Sequence, residues 1–100
     1  MDDLVGRLVI SKAGRDKGKP FVITKVINNR FVILLDGDLR KVENPKVKSI
    51  KHCQVTVKQI PEIVQAVKKG EVLENHQIRK LVRNLWLTYQ GDEEGGCLDG

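Results

Sequence analysis

Residues 4–27 read LVGRLVISKAGRDKGKPFVITKVI, and the way this stretch divides decides the fold. Leu4–Ile10 is mostly apolar and rich in β-branched and other strand-favouring residues, which predicts a first strand. Pro20–Ile27 has the same texture and predicts a second. Between them, Ser11–Lys19 is polar and contains Gly14 and Gly18, so it reads as a connecting loop.

The same punctuation continues outward. Asn28-Asn29 marks a turn, because Asn tolerates positive φ. Phe31–Leu35 predicts a third strand, Asp36-Gly37-Asp38 a tight turn and Arg40–Glu43 a short fourth strand. Asn44-Pro45 is a break, since proline disfavours a helical residue before it. His52–Val57, starting as early as Val47, predicts the fifth strand. Five short strands with short turns predict a mainly β domain over residues 1–58, a small antiparallel barrel whose closure hides the sheet edges.

The period then changes. Ile60, Ile63, Val64 and Val67 share one helical face, with Pro61 and Glu62 suited to the start and Lys68, Lys69 and Gly70 to the end. Asn75 is placed to cap a second helix, along which Ile78, Leu81, Val82, Leu85, Trp86 and Tyr89 follow helical spacing. Residues 59–90 are therefore expected to be two short helices packed on the barrel, with Trp86 and Tyr89 covering the junction. Residues 91–100, rich in Gly, Asp and Glu, read as a flexible acidic tail.

The 100 residues carry 18 Lys and Arg against 13 Asp and Glu, a formal charge of +5. This charge is not evenly spread. Residues 1–58 hold 13 cations and 6 acids, whereas residues 91–100 hold four acids and no cation. The positive field belongs to the β-rich part, and an anionic partner is expected there, nucleic acid before membrane.

Several classes are excluded. Met1-Asp2-Asp3 is acidic with no apolar run behind it, so no secretory signal is expected. No apolar run has the length of a membrane span. Cys53 and Cys97 are too few for a disulfide scaffold, and a cytoplasmic protein with reduced thiols is expected. His52-Cys53 is half of a zinc site, with only His76 and distant Cys97 to complete it, so neither metal nor cofactor is expected. Asp36 and Asp38 lack the spacing of a calcium loop, and Ser11, His52 and Cys53 match no nucleophile signature. No enzymatic activity is expected.

The loop carries the remaining chemistry. Two glycines stand among Lys12, Arg15, Lys17 and Lys19. Glycine allows close backbone approach, successive N–H groups can cradle an anion, and Lys and Arg supply charge. The plain alternative is a hairpin loop whose glycines only satisfy turn geometry. A nucleotide-binding P-loop is ruled out, because Lys19 is followed by Pro20 rather than Ser or Thr.

Gly6-Arg7-Leu8-Val9-Ile10-Ser11, then Gly14, Gly18 and Lys19, then Phe21–Val26, resembles a KOW motif, as found in SH3-like barrels of ribosomal and transcription-elongation proteins. With Leu35-Asp36-Gly37, Arg40-Lys41-Val42, Pro45-Lys46 and Lys51–Thr56, the stretch 4–57 is similar to the N-terminal domain of the eukaryotic-type large-subunit ribosomal protein fourteen and its short bacterial KOW relatives. Two helices stand in place of that family's lysine-rich extension.

The resemblance implies a barrel that contacts structured RNA, with ribosomal RNA or a ribosomal particle as partner, in translation. Its contacts would come from Arg7, Ser11, Lys12, Gly14, Arg15, Lys17, Gly18 and Lys19. Arg40, Lys41, Lys46, Lys48 and Lys51 follow as further candidates. If extended, Lys46 and Lys48 share one face and Val47 the other. Arg79, Lys80 and Arg83 read as a solvated helix face.

Phe21 and Phe31 are expected in the core, leaving few aromatic platforms for bases. The expected mode is therefore recognition of the phosphate backbone of folded RNA. The competing reading is a protein-interaction module that docks a translation or transcription partner through the C-terminal helices.

Overall fold

The computed structural model describes residues 4–38 and 40–91. Among these, the chain forms β1 (Arg7–Ser11), β2 (Pro20–Val26), β3 (Phe31–Leu35), β4 (Lys46–Ser49), β5 (Cys53–Gln59), α1 (Pro61–Lys69) and α2 (Asn75–Gly91). A 3-10 turn over Ile50–His52 joins β4 to β5. The acidic tail expected over 91–100 lies, beyond Gly91, outside the described residues. No helix among the described residues is long and apolar enough to cross a membrane.

The sheet is antiparallel in the order β4-β3-β2-β1-β5. That order forces a curl. Strands β4 and β5 are opposite edges, four spacings apart, or about 19 Å if the sheet were flat. Only three residues separate Ser49 from Cys53, a reach of about 14 Å at most. The edges must therefore bend toward each other, and the Cys53 thiol donates to the Ser49 carbonyl at 3.4 Å. Register shifts in β1–β5 and β2–β3 add to the bend. No ladder joins β4 to β5 among the described residues, so the sheet is curled but open.

Alternation along the strands then fills two cores. Val9, Phe21, Ile23, Val32, Leu34 and Cys53 lie on the face that carries no helix, buried because the sheet wraps round them. Leu8, Val22 and Leu35 face the other way and pack against Ile60, Ile63, Ile78 and Val82. Each fully buried aliphatic side chain contributes about 1.5–3 kcal/mol, which short helices cannot supply by themselves. Trp86 and Tyr89 pack on this second cluster, their rings stacked at 5.9 Å. Val67, expected on the packed face of α1, is 44% exposed.

Three expectations are corrected. The fourth strand is not Arg40–Glu43 but Lys46–Ser49. Ahead of Pro45 the backbone is engaged elsewhere. Asp36 Oδ1 accepts from the Arg40 amide at 2.8 Å, and Asn75 Oδ1 accepts from the Val42 amide at 2.7 Å. Asn75 consequently does not cap its own helix. Glu74 takes that position, with its carbonyl accepting from Gln77 and Ile78 while the Gln77 side chain accepts from the Glu74 amide. The Asn28-Asn29 turn uses no positive φ; Asn28 Oδ1 accepts from the Arg30 and Phe31 amides instead.

Candidate nucleic-acid interface

The β1–β2 loop is built from its backbone outward. Gly18 N–H donates to Ser11 O at 2.8 Å and Ser11 N–H to Lys19 O at 3.1 Å, which carries the hairpin pairing beyond the strands. Lys17 N–H donates to Gly14 O and Lys19 N–H to Asp16 O, folding the tip into successive turns. Gly14 and Gly18 sit at φ +84° and +85°, the left-handed region these turns require. The amides of Gly14, Arg15 and Asp16 take no hydrogen-bond partner among the described residues. Both glycine amides were candidates for anion contact. Only that of Gly14 is available, because that of Gly18 is held by Ser11.

Lys12, Arg15, Lys17 and Lys19 are exposed around this tip. Asp16 is half-buried and turned toward Arg40, with 3.8 Å between its carboxylate and the guanidinium. Ser11 differs from the other candidates. It is 1% exposed, and its hydroxyl donates to Ala13 O and accepts from Lys48 Nζ. Its place in the structure is to hold the loop rather than to meet a ligand.

The alternation expected across Lys46, Val47 and Lys48 is present, and it is the lysines that point inward. Lys48 pairs with Val32 and Lys46 with Leu34, so both lysines lie on the inner face of the curl, while Val47 is 52% exposed. Lys48 reaches along that face to Ser11 Oγ at 2.6 Å and Ala13 O at 2.8 Å. Inward-pointing charge also protects an edge strand from pairing with another chain.

The remaining candidates divide. The Lys12 amide donates to His52 O at 2.8 Å, which sets the loop against the 3-10 turn that carries exposed Lys51. Arg40 joins the group through Asp16. Arg7 does not. It stands at the opposite end of β1, about 13 Å away along the strand, where its guanidinium donates to Thr56 O. Lys41 is also apart, in a hollow of about 530 Å³ beside the start of α2 with Glu43, Glu74 and Arg79.

Sequence reasoning missed two neighbours. Arg79 and Arg83 share a hollow of about 370 Å³ with Lys19, Trp86, Asp36 and Asp38, so the basic loop continues onto α2 through ground of mixed charge. Phe31, expected in the core, is 40% exposed. In an all-apolar run such as FVILL nothing in the sequence says which parity is covered; Val32 and Leu34 took the interior. Cys53 is buried in the inner core, and burial pushes its thiol up from the ordinary range against the opposing pull of Lys48 and Lys12.

No protein-family model and no curated protein matches the chain.

Proposed function

We infer that this chain is a non-enzymatic, cytoplasmic RNA-binding protein that grips the phosphate backbone of structured RNA, ribosomal RNA foremost, through the β1–β2 loop. The observation that carries the reading is the loop tip. Four exposed cations surround three successive amides without partners, on a turn held in shape from inside. Anions bind where N–H groups converge and cations lie close. The resemblance to KOW proteins supports the same assignment. So does the curl. With edges joined by three residues, the sheet is one ladder short of closure, and we read it as an SH3-like barrel.

The test is the affinity of the full chain for a fully paired RNA duplex across salt concentrations. Each neutralised phosphate contributes about 0.7–0.9 to the log–log slope. Changing Lys12, Arg15, Lys17 and Lys19 together to Glu should abolish binding without unfolding the domain. A flat salt dependence, or binding that survives the charge swap, would overturn the assignment.

A further inference from the structure

Of the four aromatic residues, Phe21 is buried, Trp86 and Tyr89 are half-buried, and Phe31 alone is exposed. Its backbone is firmly held. Phe31 N–H donates to Asn28 Oδ1, Phe31 O accepts from Ile27 N–H, and Phe31 pairs with Ser49 across the β3–β4 ladder. The ring lines a hollow of about 640 Å³ with Asn29, Arg30, Ser49, Ile50 and Lys51. Arg30 and Lys51 are both exposed, and among the described residues no acidic side chain lines the hollow.

The position of this hollow matters as much as its composition. Ile50 N–H donates to Arg30 O at 2.7 Å, and two residues later His52 O accepts from Lys12 N–H at 2.8 Å. The 3-10 turn therefore links the hollow to the basic loop. Lys51, on that turn, and Arg30, beside Phe31, both border the hollow.

We propose that this hollow takes one unpaired base of the bound RNA, stacked on Phe31, with its flanking phosphates on Arg30 and Lys51. The inference deepens the proposed function and rests on it. Every base has a π-face, so a ring between two cations needs no sequence code to hold one. A paired base cannot serve, because its faces are already covered within the duplex. The ligand must be bulged, looped or frayed. Among the described residues that line the hollow, Phe31 and Ile50 are the apolar ones, and a protein loop would call for a wider apolar surface.

The experiment compares the full chain on two probes, a fully paired RNA duplex and the same duplex with one bulged 2-aminopurine nucleotide. Stacking on one aromatic should make the bulged duplex bind about 5- to 150-fold tighter and quench the 2-aminopurine emission. Phe31→Leu should erase both the preference and the quench while leaving affinity for the paired duplex unchanged. Phe31→Trp should restore both, which separates loss of stacking from loss of fold. Equal affinity of the wild-type chain for both probes, or a preference that survives Phe31→Leu, would overturn the stacking site and leave the loop assignment standing. Failure to bind either probe would overturn both.

Discussion

The ammonium of Lys48 lies 2.6 Å from the Ser11 hydroxyl and 2.8 Å from the Ala13 carbonyl, so an edge strand of the sheet is tied to the root of the basic loop. Neither partner is an acidic side chain. Lys48→Ala removes both bonds and leaves a buried hydroxyl with one partner fewer. Hydrogen bonds to a charged group are worth about 1.5–3 kcal/mol. The variant should lose stability of that order in urea denaturation. An unchanged midpoint would mean that the loop holds its shape without this strut.

Gly37 and Gly14 both occupy the left-handed region, at φ +78° and +84°, yet they should respond differently to alanine. A Cβ at Gly14 meets nothing closer than Lys48 Nζ, at 3.9 Å, an ordinary van der Waals distance. At Gly37 it collides with the Asn75 carbonyl and the Arg79 backbone, where α2 rests on the turn. Gly14→Ala should cost about 1–2 kcal/mol for the conformation alone. Gly37→Ala should cost clearly more, or unseat the helix, as seen in thermal melts of the pair. Equal losses would contradict the close seating.

Asn75 is a two-way clamp. It accepts from the Val42 amide at 2.7 Å and donates to Glu43 at 2.8 Å. Asn75→Ala should cost about 0.5–1.5 kcal/mol through the lost bond to the Val42 amide. It should also change the acid limb of stability. The Asn75 bond, followed by a bond to backbone, holds the Glu43 carboxyl below its ordinary value. A depressed carboxyl contributes stability above its ordinary value, and that contribution fades as pH falls through the folded-state value. Removing Asn75 should flatten this dependence, and NMR titration of Glu43 should show its carboxyl returning toward the usual range.

Cys53 makes the opposite prediction at high pH. Burial is the main cause that raises its thiol. Alkylation with mapping of the modified peptides should label Cys53 far more slowly in the native chain than in urea. The unfolded chain loses this proton first. Stability should therefore fall as pH climbs past the ordinary thiol value, and Cys53→Ser should lose that component of the decline.

Most of the sheet was legible because hydrophobic period and turn chemistry are local. Pro20–Val26, Phe31–Leu35 and the two helices fall where the pattern puts them. The fourth strand was not, because the amides of Arg40 and Val42 bond to Asp36 and Asn75, and Asn75 lies far along the chain. The cations of the loop could be read directly. That Ser11 is enclosed, that Lys48 points inward and that Phe31 points outward all depend on which face the curl encloses. No single strand carries that information.

The loop is braced from three sides: by Lys48 from β4, by the His52 carbonyl from the 3-10 turn, and by Arg40 through Asp16. A loop held this way does not have to order itself when a ligand arrives. Little conformational entropy is lost at that step, and the encounter is governed by long-range attraction rather than by waiting for a competent shape. If the loop binds RNA as proposed, differences among RNAs should then lie in residence time, with association rates that salt slows for all of them alike.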